Sequence, residues 1–377
     1  MSPNKLTFLV DNIDPITGPK PNLLGFTDEK YTLKSIFTNC KIEYRSSWSA
    51  PDIDKWFYPI MLMDGITLNN FLLQKDIFIK NHISERVQLG LKNKKGKILI
   101  VVYEPVSQLT SHILSENFGD NLNFVFVTLH NIDKSNFLTY VPCSFIGSEK
   151  DGRGLKKEKE ESNTINIDKL DNRYFSCFTY FYNDNPYTTL AISLLEKNNL
   201  LDKGFVSMYN KGIDFEKLIS LSKIHYHYDW LLAYDFTNSD KVFDLLPVEQ
   251  CLKQSLFNFV VESFDGGTEV YVSEKTHRNF LYKKAFLSWG SPNQLKLIKS
   301  QGYKTFSPII NESYDAVENH KKRFAMVIHE LKRLVNKDYN ELKNDFITIN
   351  HILDHNYSNF LKRNDNIGNK LIGTFNE

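Results

Sequence analysis

The chain has only 4 cysteines, and Cys40, Cys143, Cys177 and Cys251 stand singly with no paired spacing. That excludes a disulfide framework or a spaced zinc knuckle and suits buried thiols in a reducing compartment. Long hydrophobic runs are missing too. The apolar stretch "ILIVVY" at 98–103 is far shorter than a bilayer needs, and "MSPNKLTFLVDN" lacks the build of a signal peptide, so the expected location is the cytoplasm. Charge of one sign is also lacking: the net charge is +1 and evenly spread, which excludes a polyelectrolyte binder of nucleic acid. The patches "KNKKGK" at 92–97 and "GLKKEKEE" at 154–161 are local, and in the second the glutamates cancel the lysines. There is no repeat at a solenoid period and no low-complexity tract.

What is there is length and an alternating pattern. A chain of 377 residues exceeds what one hydrophobic core usually organises. The runs "LTFLV" at 6–10, "KILIVVYEP" at 97–105 and "LNFVFVTLH" at 122–130 read as strands. Between the last two, "VSQLTSHILSENFG" sets Val106, Leu109 and Ile113 at helical spacing before a Gly stop. From 148 to 165, "SEKDGRGLKKEKEESNTI" gives up nearly all bulky apolar residues and reads as a linker or mobile loop. The pattern then restarts with a strand at 173–181, a helix at 185–204 begun by Pro186 and left through Gly204, and a strand at 205–209. Later come "FNFVVES", the helix "SEKTHRNFLYKK", the strand "AFLSWG" at 285–290, a helix at 291–302, and helices near 314–336 and 338–354. The expected fold is therefore α/β, with two Rossmann-like domains facing across a cleft. Their expected bounds are 1–165 and 166–350, with a tail, 351–377, packing back on the N-terminal domain.

The stretch "FNFVVESFDGGTEVYVSEKTHRNFLYKKAFLSWGS", 257–291, carries the chemistry. Ligands of open α/β sheets sit beyond the carboxyl ends of the strands, where loops lead into helix N-termini. Glu262 ends a strand, and Ser273, Glu274 and Lys275 open a helix, so they are expected to face that crevice. Helix N-termini favour phosphate; Lys275 adds a full charge, and Glu274 can accept hydrogen bonds from a ribose diol. Spacing alone leaves a second reading open: Ser273 caps the helix, Glu274 complements its dipole and Lys275 faces solvent.

Those residues resemble the donor-binding motif of the family-10 glycosyltransferases, the α1,3/4-fucosyltransferases, and of related bacterial, phage and viral enzymes. Phe259, Glu262, Ser263, Tyr271, Val272, Ser273, Glu274, Lys275, Arg278 and Gly290 follow in the motif's order, with Ser263 directly after Glu262 and Ser273 where the family has Thr. The resemblance runs over about 170–335. It implies a two-Rossmann glycosyltransferase of the GT-B type, its C-terminal domain holding a GDP- or UDP-sugar and its N-terminal domain presenting the acceptor. Tyr271 would pack on or hydrogen-bond to the nucleotide, Glu274 would hold the ribose and Lys275 the diphosphate. Glu262, Ser273, Arg278 and Gly290 would complete the donor site. Transfer would invert the anomeric centre, with no cofactor and no metal.

For the general base the family uses a Glu in a Glu-Ser-Pro segment after an N-domain strand, and "VVYEPVSQ" offers Glu104 at the comparable place. A partly desolvated carboxylate at a strand end suits that role. The serine before Pro105 is missing, and Glu104 can equally cap a helix beginning near Val106. Relatives also carry arginines after the first donor-domain strand, whereas "CFTYFYNDNPYTT" holds no basic residue. That departure keeps open a non-catalytic sugar-nucleotide-binding or partner protein. The acceptor is expected to be a glycan or a hydroxymethylated base in phage DNA, and near-zero charge argues against long duplex contacts.

Other signals rank lower. The pair Asp52 and Asp54 imitates a metal-holding DxD, and His225 and His227 share a side of one segment without a third ligand nearby, so no metal site is expected. Glu262 and Glu269 have six residues between them where retaining enzymes of this fold have seven. Glu312, Ser313 and Tyr314 read either as donor-site wall or as the start of a helix, with Asp315 as its cap. Trp289 and Tyr303 read as core.

Overall fold

The computed structural model describes residues 5–10, 12–14, 18–20, 22–24, 40–46, 50–62, 83–102, 116, 123–128, 137–139, 173–179, 186–208, 248–262, 270, 272–362 and 367–375. The protein is α/β, built on two parallel sheets with helices, and divides into two compact units. One comprises Met1–Gly147 with Lys362–Glu377, the other Ser148–Leu361. The charged stretch 148–165 lies outside the described residues, as does most of the helix expected at 106–119. No described helix is long and apolar enough to cross a membrane.

In the first unit the strands are β1 (Lys5–Val10), β2 (Asn12–Asp14), β3 (Gly18–Lys20), β4 (Asn22–Leu24), β5 (Lys41–Ser46), β6 (Trp56–Leu62), β7 (Gly96–Val102), β8 (Phe124–Thr128) and β9 (Phe137–Thr139). A parallel sheet runs β5-β1-β6-β7-β8-β9, and β2 and β3 pair apart from it as an antiparallel ribbon. The near-continuous apolar runs of β6, β7 and β8 are what strands covered on both faces require. Period-two alternation sorts their side chains. Leu9, Trp56, Tyr58, Ile60, Ile98, Ile100, Phe124 and Phe126 bury one face with Val87 from helix α1 (Glu85–Lys92). Leu6, Phe8, Phe57, Leu99, Val101 and Val125 bury the other with Ile367 and Leu371 of the C-terminal helix, Ile367–Gly373. Phe375 sets its ring 4.9 Å from that of Phe57, so the end of the chain belongs to this core.

The strand order reverses beside β1, because β5 lies on one side of it and β6 on the other. β1 pairs with β6 at Thr7 and Phe8, and further along β4 lies parallel to β6 at Ile60, Met61 and Leu62. The first unit thus places a strand beside the carboxyl half of β6, at the edge where such sheets usually admit ligand.

The second unit holds β10 (Arg173–Thr179), β11 (Gly204–Met208), β12 (Ser255–Val261) and β13 (Ala285–Trp289), all parallel, in the order β11-β10-β12-β13. Its helices are α2 (Pro186–Lys197), α3 (Val248–Gln254), α4 (Glu274–Leu281), α5 (Gln294–Ser300), α6 (His320–Val335), α7 (Tyr339–Thr348) and α8 (Asn350–Lys362). Phe175, Phe257, Phe259 and Trp289 point to one face, where Phe324 of α6 stacks on Trp289 at 3.8 Å and Phe346 of α7 lies 5.7 Å from Phe257. On the opposite face Phe178 and Phe205 pack with Val248, Cys251 and Leu252 of α3. Helices cover both faces, which is the doubly wound plan.

Local chemistry explains where elements stop. Pro186 opens α2, as a residue without an N–H suits a first turn. The left-handed residue past that helix is Asn199, at φ 54°, and not Gly204, which starts β11 in extended conformation. Gly204 is needed for a different reason: a Cβ there would run into the ring of Phe175 on the neighbouring strand. The helix expected at 314–336 begins at His320, where Asn319 accepts from the Lys322 N–H at 2.9 Å.

Lys284, just before β13, ties the sheet's amino edge by donating from Nζ to the Ser255 carbonyl at 2.6 Å. Burial pushes its pKa down to about 8. Between that value and an unfolded value of about 10.5 the unfolded chain binds more protons, so this group makes stability rise with pH in that window and leaves it flat below. The stability of the protein relative to Lys284→Met, followed by denaturant unfolding from pH 7.5 to pH 10.5, is expected to increase by about 2–3 kcal/mol.

Candidate functional site

In the second unit the strand order reverses between β10 and β12, so the carboxyl ends of these strands, at Thr179 and Val261, mark the crevice expected of an open α/β sheet. Glu262 is the first residue past β12. Its N–H donates to the Trp289 carbonyl at 3.0 Å, continuing the ladder to β13 by one rung. Its side chain is fully buried at 0% exposure. Oε1 accepts from the Ser273 N–H at 3.2 Å, from the Thr276 hydroxyl at 2.6 Å and from the Gln294 amide at 2.9 Å. Gln294 in turn takes the Ser288 hydroxyl on its Oε1. One carboxylate oxygen therefore joins β12 to the start of α4, to the start of α5 and, through Gln294, to β13.

The expectation that Glu262 faces an open crevice is corrected on this point. A carboxylate removed from water must be hydrogen-bonded, and here the donors come from the protein itself. Ser273 also does what a cap does: in extended conformation, it accepts from the Lys275 N–H at 3.0 Å, and it is buried.

A second polar chain fixes the rest of α4. Asn258, an amide inside an apolar strand, donates to Asn279 Oδ1 at 2.8 Å and accepts from the Ser176 hydroxyl at 3.2 Å. Asn279 donates back to the carbonyls of Lys275 and Thr276 at 2.8 and 3.2 Å. The helix is thus pinned at its first turn and again one turn later. Glu274 is its first residue, and Lys275 and Arg278 project from it, both buried and both engaged by neighbouring groups. His277, on the same helix, holds the Ser273 carbonyl through Nδ1 at 2.9 Å.

The start of α5 is organised from outside. Asp315 accepts from the N–H groups of Leu295 and Lys296 at 2.9 and 3.2 Å, and its carbonyl takes the Asn293 N–H at 2.7 Å. Asp315 is a cap, as its residue type suggested, but of α5 and not of the helix that follows it in sequence. Burial raises its carboxyl pKa against the pull of those two N–H groups. The anion seat at the N-terminus of α5 is filled by the protein's own carboxylate.

Gly290, at the end of β13, has no room for a side chain because a Cβ would collide with that of Gln294. Its carbonyl accepts from Nε of Arg323 at 3.1 Å. Arg323, almost wholly buried, also donates to the carbonyls of Val317 and Glu318 and to His320 Nδ1. Glu312 binds the Thr305 hydroxyl and the Phe306 N–H at 2.7 and 2.6 Å, closing the loop 305–312 on itself, and burial raises its pKa. Trp289 and Tyr303 are core, the latter stacked on Phe280 at 4.0 Å.

Six of the residues singled out from sequence, Glu262, Ser273, Glu274, Lys275, Arg278 and Gly290, thus gather at the carboxyl edge of β12 and β13. Tyr271 and Glu104 lie outside the described residues, as do His225 and His227. Asp52 and Asp54 are exposed and pair with Arg86 and Lys95 at 3.4 and 3.3 Å. Among the described residues no group of three or more His, Cys, Asp and Glu is placed to hold a metal. Comparison of the chain with family models, curated proteins and solved structures finds no match.

What the edge offers chemically is a helix start beside two buried cations, an arrangement that favours an anion. Sequence reasoning passed over Asn258, Thr276, Asn279, Gln294 and Arg323. Only Asn258 carried a signal, being an amide within "LFNFVV", where a buried polar group must find a partner. Asp315→Ala removes the acceptor of two N–H groups, and denaturant unfolding is expected to show a loss of about 1–2 kcal/mol, with faster amide exchange at Leu295 and Lys296.

Proposed function

We propose that the chain is an inverting glycosyltransferase that moves a sugar from a GDP- or UDP-linked donor to an acceptor hydroxyl, on a glycan or on hydroxymethylated phage DNA. The observation that carries this reading is the placement of the two ends of the segment 262–275, Glu262 on one side and Ser273, Glu274 and Lys275 on the other, at the carboxyl edge beside the strand-order reversal of the second unit, with Lys275 and Arg278 buried on α4. The resemblance of that segment to the family-10 fucosyltransferases supplies the donor class. The finer architecture proposed is of the GT-B type, two Rossmann-like domains across a cleft, working in the cytoplasm, that of the host if the protein belongs to a phage.

In this reading Glu262 and Ser273 set the position of α4, while Tyr271, Glu274, Lys275 and Arg278 bind the donor. Glu104 takes the proton of the acceptor hydroxyl. The acceptor oxygen attacks the anomeric carbon from the face opposite the diphosphate. The carbon–oxygen bond to the diphosphate breaks, and the leaving group departs with the electron pair. Configuration at the anomeric carbon inverts. Positive charge at Lys275 and Arg278 stabilises the charge that develops on the diphosphate.

A thermal-shift panel of UDP, GDP and their sugars tests the donor. One of them is expected to stabilise the protein by about 2.7 kcal/mol at a hundredfold excess over its Kd, and Lys275→Met is expected to lose most of that shift. Slow release of nucleotide by hydrolysis is expected from the protein and a drop of about 100-fold from Glu104→Gln. A panel without any shift refutes the donor assignment. Binding without hydrolysis or transfer, and a silent Glu104→Gln, would identify a sugar-nucleotide-binding protein that is not an enzyme.

A further inference from the structure

The polar groups of the second unit are mostly tied into the networks described above, which makes the exceptions informative. Gln254 Oε1, Ser291 Oγ and Gln301 Oε1 are buried without a hydrogen-bond partner among the described residues. Gln254 is the last residue of α3, at the amino end of β12, and Gln301 follows the last turn of α5. Ser291 is placed differently. Val261 pairs with Trp289, so Glu262 is level with Gly290, and Ser291 stands one residue further out on the carboxyl edge where the candidate site lies. It is only 2% exposed.

A hydroxyl taken from water and given no partner destabilises the folded state, and such groups in native proteins call for a reason. Looseness of the loop is not the reason here. On one side the Gly290 carbonyl is held by the buried guanidinium of Arg323 at 3.1 Å. On the other the Asn293 N–H is held by the Asp315 carbonyl at 2.7 Å, and Gln294 is locked between Ser288 and Glu262. Pro292 fixes one backbone angle between them. Asn293 keeps a left-handed φ of 63°, a conformation uncommon for a residue with a side chain. The loop is therefore held rigid on both sides of a hydroxyl that nothing in the described protein uses.

Resting on the nucleotide-sugar reading, we propose that Ser291 is a ligand-contact residue of this site, its hydroxyl hydrogen-bonding an oxygen of the bound nucleoside diphosphate sugar. Bound donor supplies the partner that the protein withholds. This assigns the Gly290–Asn293 loop to recognition, opposite in role to Ser273, whose hydroxyl is consumed by its own helix.

The proposal has a signature that a structural hydroxyl does not share. Ser291→Ala, and as a second variant Ser291→Cys, is expected to leave the ligand-free melting temperature unchanged or higher, because an unsatisfied polar group has been removed. The same variants are expected to bind the nucleotide or nucleotide sugar selected by the UDP and GDP panel at least 5-fold more weakly by calorimetry. Weakening with the free nucleotide as well as with its sugar locates the contacted oxygen on the nucleotide, and weakening with the sugar conjugate alone locates it on the sugar. If the protein binds a nucleotide and Ser291→Ala binds it within twofold, or if the variant is clearly less stable or fails to fold, the inference is wrong while the donor reading stands. If the protein itself binds no member of the panel, both fall together.

Discussion

Glu262 Oε1 accepts three hydrogen bonds in the interior of the second unit, and the starts of two helices depend on it. Ser273 brings a backbone N–H, Thr276 a hydroxyl and Gln294 an amide, so this one oxygen is met by donors from two different elements. Burying a carboxylate is costly unless its lone pairs are met, and breaking such a group costs more than the bonds seen one at a time, since every donor loses its acceptor together. The energetic consequence is also a geometric one. Where α4 begins, and therefore where Lys275 and Arg278 are carried, is decided by a carboxylate that need not itself touch any ligand.

The two sheets spend their interiors differently. Both faces of the first are packed with apolar side chains, and at its own strand-order reversal the carboxyl half of β6 lies beside β4. The second threads a polar seam, Ser176–Asn258–Asn279 and Ser288–Gln294–Glu262, between strands and helix starts. An apolar core of the same volume would hold the layers together equally well. A hydrogen-bonded seam adds direction: it fixes rotation and register of a helix, at the risk that one missing partner unsettles the rest. The seam runs the length of β12: Glu262 holds its carboxyl end, and Ser255, whose hydroxyl donates to that of Ser176 at 3.1 Å, carries it to the amino end.

Much of this architecture could be read from the residues. The apolar runs of β7, β8, β10, β12 and β13 and the restart of the pattern past 170 identified parallel sheets, since their length and bounding Gly, Pro and charge suit strands buried on both faces. Position along the chain also found the candidate edge, because Glu262 and Gly290 end neighbouring strands. What could not be read was the direction in which side chains are spent. Glu262 looks like a ligand group in sequence, and its Oε1 is spent on the protein's own donors; Ser273 reads either as a ligand group or as a cap, and in space it caps α4; Asp315 looks like the cap of its own helix and caps another, 20 residues upstream, through the fold. Gly204 signals a helix exit and is instead the space for the Phe175 ring. These are tertiary partnerships, and no local spacing encodes them.

The central claim is that the Glu262 carboxylate is the shared acceptor on which the carboxyl edge is built. Denaturant unfolding of Glu262→Leu, close in size and unable to accept a hydrogen bond, tests it most directly. Three donors left without an acceptor predict a loss of at least about 3 kcal/mol relative to the parent protein. A loss below about 1 kcal/mol would contradict the account, since it would mean that the helix starts stand without the carboxylate.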